Sequence, residues 1–97
     1  ACSDCHSNAS YGGPVVDAER VGTDLALANG TARGTGHYRP PSLLRLTKAA
    51  PYLHHGAVPT LEAMFDPERL KTVPGHDYGT DWSAEDREAL LKFLRTL

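Results

Sequence analysis

The sequence predicts a small, mostly α-helical, loop-rich domain with little or no β structure, and three observations carry that expectation. Its 97 residues leave room for one domain with limited buried surface. The carboxyl end carries an apolar stripe at helical spacing behind a helix-start signature. Elsewhere nine glycines and seven prolines interrupt the chain, with no alternating run longer than a few residues.

Taken in order, residues 1–29 hold a short cysteine-bearing turn, the break Gly12-Gly13-Pro14, and little regular patterning around Leu25 and Leu27. Residues 30–36 contain three glycines among small and polar side chains and read as a surface loop. Pro40 and Pro41 then force an extended backbone. Ser42 is placed to cap one or two helical turns through Leu43, Leu44 and Leu46 that end near Pro51. Thr60 repeats the device before Leu61, Met64 and Phe65, with a stop around Pro67. The stretch 66–82 reads as a loop long enough to lie against another face of the domain. Ser83-Ala84-Glu85-Asp86 opens the final helix, with Leu90, Leu91, Leu94 and Leu97 on one stripe, Phe93 nearby, and Lys92 and Arg95 complementing the dipole at its far end.

Composition excludes several classes. Hydrophobic residues make up 40% of the chain, too many for a disordered segment. A formal charge of −2 with histidines neutral gives no phosphate-seeking surface, so nucleic acid is not the expected partner. No apolar run approaches the roughly 20 residues that cross a bilayer. The chain opens on Ala1-Cys2 with no charged and apolar leader, so either a targeting segment has been removed or residues 1–97 are one domain excised from a larger protein.

The chemistry concentrates in Cys2-Ser3-Asp4-Cys5-His6. This is C-x-x-C-H, a spacing in which two thiols reach the two vinyl groups of a haem while the next imidazole meets the iron. The competing readings fit less well. A redox dithiol normally sits in a βαβ context, a zinc site needs four ligands at finger spacing, and a plain disulfide gives His6 no task. One covalent haem c is therefore expected on Cys2, Cys5 and His6, and it would also supply core that so short a chain lacks. A ligating imidazole usually donates its other N–H to an acceptor, and a carbonyl at the Gly12-Gly13-Pro14 turn, assigned to Pro14, is the expected one.

The residue on the other face of the iron decides the function, because a carrier fills both axial positions and an enzyme leaves one open. Met64, the single methionine, is the expected second ligand; the bland alternative is core filler. His54 is the alternative ligand, with contact to a haem propionate as its other role beside His55. His37 and His76 read as surface residues. Because axial ligands span about 0.8 V of potential in haem proteins, Met64 implies a higher-potential carrier than His54.

Two stretches carry a resemblance. The C-x-x-C-H start resembles cytochromes c in general. Tyr38-Arg39-Pro40-Pro41-Ser42-Leu43, followed by Ala50-Pro51-Tyr52-Leu53-His54-His55-Gly56-Ala57-Val58-Pro59-Thr60-Leu61, resembles the C-terminal haem domain of bacterial di-haem cytochrome c peroxidases and their relatives. The resemblance implies a cytochrome c-like helical fold around one covalent haem, export before haem attachment, and hence a periplasmic or extracellular location. It also implies an electron-relay role, since in those peroxidases the peroxide-binding haem lies in another domain. Relatives commonly show Pro-Ser-Leu-Arg-Gly where this chain reads Ser42-Leu43-Leu44-Arg45, and they carry their distal methionine further beyond the Tyr-x-His-x-Gly segment than Met64 stands. The helix that precedes the attachment motif in many cytochromes c has no counterpart, which leaves Leu90, Leu94 and Leu97 to pack elsewhere.

The expected function is single-electron transfer between Fe(III) and Fe(II) by a monomeric carrier, not an enzyme in its own right. Its partner is a redox protein or a catalytic domain of the same or another chain, met through a small transient contact. The alternative is a haem peroxidase or oxygenase with an open distal site, His54 or His55 serving as acid or base.

Overall fold

The computed structural model describes residues 2–97. Six short elements of regular structure are joined by long loops. A two-residue strand β1 (Val16–Asp17) runs directly into α1 (Ala18–Val21), followed by α2 (Ala26–Asn29) and strand β2 (His37–Tyr38). Then come α3 (Leu61–Met64) and α4 (Ala84–Arg95). Three 3₁₀ turns, Cys2–Asp4, Leu46–Lys48 and Pro67–Lys71, punctuate the loops. β1 and β2 pair antiparallel, Val16 opposite Tyr38 and Asp17 opposite His37. The mostly helical, loop-rich architecture expected from the sequence is present, with β structure reduced to this pair and one isolated bridge between Tyr52 and Val58.

The helix starts at Thr60 and Ser83 form as their chemistry dictates. Thr60 Oγ1 accepts from the Ala63 N–H at 3.1 Å, and Ser83 Oγ accepts from the Asp86 N–H at 3.1 Å. Ser42 departs from expectation. Its hydroxyl accepts from the Leu44 N–H at 3.1 Å but donates to the Ser10 carbonyl at 2.7 Å, and Arg45 turns into the left-handed region at φ 57°. The backbone there cannot continue as a helix, and only the 3₁₀ turn Leu46–Lys48 follows. The structure also adds α1 and α2 to a stretch whose sequence shows little patterning, each a single turn that packing, not propensity, must hold.

The main core gathers Leu46, Tyr52, Val58, Leu61, Met64, Phe65 and Leu94, with Leu90, Leu91 and Leu97 packed partly against it. α4 and the residues just after it thus bury Leu94 and half-bury Leu90, Leu91 and Leu97 in this core, against the 3₁₀ turn at Leu46. The seam is pinned by the Arg95–Glu62 ion pair and by the Arg87 guanidinium donating to the Phe65 carbonyl. Val58 is fully enclosed, and the Tyr52 hydroxyl donates to the Leu46 carbonyl at 2.9 Å. A second, smaller core joins Ala18, Ala28 and Tyr38. No helix among the described residues is long and apolar enough to cross a membrane.

Candidate functional site

The attachment motif folds as a single tight turn. The N–H groups of Cys5 and His6 both donate to the Cys2 carbonyl, at 3.2 and 2.9 Å, which brings two free thiols and one imidazole onto one short arc. Gly13 presses on this arc so closely that a Cβ there would stand 2.0 Å from the Cys5 carbonyl oxygen. Only glycine fits beneath the second cysteine.

His6 Nδ1 lies 2.7 Å from the Tyr11 carbonyl. A carbonyl only accepts, so Nδ1 carries a proton, and in the neutral ring Nε2 then keeps its lone pair, the tautomer a metal ligand needs. The acceptor is therefore Tyr11, not Pro14, which stands exposed. The placement of this carbonyl has a local cause. Tyr11 takes a left-handed φ of 56°, and Asn8 Oδ1 sustains the loop around it by accepting from the Ser10 N–H (3.0 Å), the Ser10 hydroxyl (2.8 Å) and the Gly12 N–H (2.9 Å). Asn8 escapes sequence reasoning because nothing in its spacing marks it.

His54 is engaged elsewhere. Its ring stacks between Tyr38 (centroids 4.3 Å apart) and His55 (4.3 Å). The buried Tyr38 hydroxyl spends its one proton on the Asp24 carbonyl at 2.8 Å and accepts from the Ala28 N–H at 3.1 Å, so the 3.2 Å contact to His54 Nε2 is donated by the imidazole. Burial and the neighbouring His55 push the His54 pKa below the usual histidine value. The ring that the sequence offers as an alternative ligand is thus committed to Tyr38. His37 is exposed, as expected, with Nδ1 on the Thr35 carbonyl at 2.6 Å.

His76 overturns its expected surface placement. It is only partly exposed, and its Nδ1 is buried with no hydrogen-bond partner among the described residues. Burial is the first cause that lowers its pKa, and the charge of His6 acts in the same direction. The residue is held there by Gly75, whose φ of 84° and contact with the Gly22–Thr23 backbone (2.3 Å to a Cβ) exclude any side chain, and by the His76 N–H, which donates to the Val21 carbonyl at 2.8 Å. The long loop does lie against another face, namely the residues after α1. Met64 sits in the main core, 8% exposed.

The residue types suit a haem. No cluster of three or more His, Cys, Asp or Glu that could hold a metal ion occurs among the described residues, but a porphyrin supplies four of the iron's ligands and asks the protein for two. A buried imidazole nitrogen without a partner is costly unless something else compensates it. Exposed rings lie nearby: Tyr11, whose carbonyl meets His6, has its ring edge-on to Phe93 at 6.4 Å, and Tyr78 meets His76 edge-on at 5.6 Å. Phe93 is 50% exposed, apolar surface that a porphyrin face would cover.

A family model described as RoxA-like, cytochrome c-like matches residues 37–73. The match supports a c-type cytochrome-like domain. It spans the Tyr38 to Leu61 stretch and Met64, and it reaches neither the C-x-x-C-H turn nor His76. No curated protein and no solved structure matches the chain.

Proposed function

We propose that this chain is an electron-carrying c-type cytochrome domain with one haem bonded to Cys2 and Cys5, His6 on one face of the iron and His76 on the other. When bound, the haem supplies a one-electron Fe(III)/Fe(II) couple. The protein's task is then to hold both axial groups, keep them unprotonated and cover the ring. His6 is held by the Tyr11 carbonyl, which fixes its tautomer and strengthens it as a donor. His76 rather than Met64 is assigned the second position on one observation: a buried imidazole nitrogen with no hydrogen-bond partner among the described residues. Met64 has a sufficient task in the core. If His6 and His76 both held the iron, no position would remain for peroxide or dioxygen, which favours electron transfer over catalysis. Haem attachment through thioethers implies export to the periplasm or exterior, and the partner is a redox protein or a catalytic domain.

The test is the mass and spectrum of the exported protein. The expected result is a covalent mass gain of one haem, a low-spin spectrum in both oxidation states, and no far-red methionine band in the ferric form. A far-red band that disappears in Met64→Ala returns the second position to Met64. A high-spin ferric spectrum reveals an open site and the peroxidase or oxygenase alternative. A colourless protein with both thiols free defeats the reading.

A further inference from the structure

One buried cation has no task in the reading above. Arg69, in the 3₁₀ turn Pro67–Lys71, is 8% exposed. A guanidinium carries five N–H donors. Nη1 donates to the carbonyls of Val73 (2.8 Å) and Gly75 (2.7 Å), and Nη2 to those of Met64 (2.9 Å) and His76 (3.0 Å). Nε is buried with no partner among the described residues. Buried arginines are usually opposed by a carboxylate. Here backbone carbonyls take that place, and three of the four belong to the segment that carries His76.

That segment needs holding. Gly75 and His76 both sit at positive φ, 84° and 45°, and the second is a conformation that a side chain disfavours. No helix or strand hydrogen bonds run through residues 73–76, so their carbonyls depend on outside donors. The Val21 carbonyl anchors the His76 N–H from one side, and the Arg69 fork anchors the carbonyls from the other.

We propose that Arg69 is a positioning residue for the second axial ligand: its planar fork fixes the 73–76 backbone and thereby sets the His76 ring against the iron. The inference rests on the haem and His76 assignment above. Charge alone does not do this, because an ammonium has three donors on a flexible stem and cannot span four carbonyls in the fork's geometry.

The experiment compares ferric absorption and electron paramagnetic resonance of the haem-loaded wild type, Arg69→Lys, Arg69→Met and His76→Gly, each with and without added imidazole, with far-ultraviolet circular dichroism reporting α4. The expected wild type is low-spin. Both Arg69 variants keep their helix content, lose most of the low-spin signal as His76→Gly does, and regain it with imidazole. Arg69 variants that stay low-spin, without imidazole, while His76→Gly does not, overturn this inference alone. Loss of α4 in both Arg69 variants also overturns it, since the arginine then serves the fold. A wild type without covalent haem, or one whose spectrum His76→Gly leaves unchanged, overturns the functional reading and this inference together.

Discussion

Replacing Tyr38 by Phe removes one oxygen from the smaller core and leaves its ring in place, so the stack on His54 and the Arg33 guanidinium 5.7 Å from the ring centroid both persist. The hydroxyl has three partners, and they do not weigh equally. The Asp24 carbonyl and His54 Nε2 belong to exposed residues, so water replaces the lost bond at little net cost. Ala28 is 0% exposed, and its N–H loses the one acceptor it has among the described residues. Leaving one buried amide unpaired costs about 1–3 kcal/mol, so that range is the expected destabilisation. Trp82, the single tryptophan, reports unfolding in urea at neutral pH, above the ordinary histidine range. With a slope of about 1–3 kcal/mol per molar urea, the midpoint falls by about 1 M. Amide exchange at Ala28 should quicken by the corresponding factor. An unchanged midpoint together with unchanged protection of Ala28 would refute the claim that this hydroxyl satisfies the α2 backbone.

Two further outcomes follow from the same geometry. The folded-state pKa of His54 lies below the ordinary 6.5, chiefly through burial, so below that value the unfolded chain binds more protons than the folded one. The stability linked to this group is therefore complete above 6.5 and is lost as pH falls through the lowered value; urea midpoints should drop on acidification, and less steeply in His54→Gln. Equal slopes in the two proteins would show that His54 is not the linked group. At the attachment turn, Gly13→Ala drives a Cβ to 2.0 Å from the Cys5 carbonyl oxygen, whereas Gly12→Ala meets nothing closer than 3.3 Å. Haem incorporated per polypeptide should fall sharply in the first and little in the second, and equal yields would disprove the steric role.

How much could be seen in advance depended on how local the cause was. Thr60 and Ser83 cap their helices because the capping oxygen and its N–H lie three residues apart, and α4 keeps its stripe because helical period is written in the spacing of Leu90, Leu94 and Leu97. Ser42 has the same chemistry and a different fate, since Ser10, far away in sequence, takes its proton. The C-x-x-C-H turn is likewise local, whereas the acceptor for His6 is the Tyr11 carbonyl because the left-handed Tyr11 and the Asn8 bonds, not the Pro14 turn, shape that loop. Asn8 and Arg69 carry no such mark. Asparagine and arginine are common surface residues, and only the folded loop shows what their side chains reach.

The sequence by itself determined the helix class, the caps of α3 and α4, and the tight turn that brings Cys2, Cys5 and His6 onto one arc, all of which depend on residues within one or two turns of each other. The tertiary structure decided which imidazole is left with a buried, unpartnered nitrogen. His54 and His76 are indistinguishable as residue types. Stacking on Tyr38 engages the first, while the close approach of Gly75 to Gly22 and the His76 N–H on the Val21 carbonyl place the second, and both depend on contacts between segments far apart in the chain.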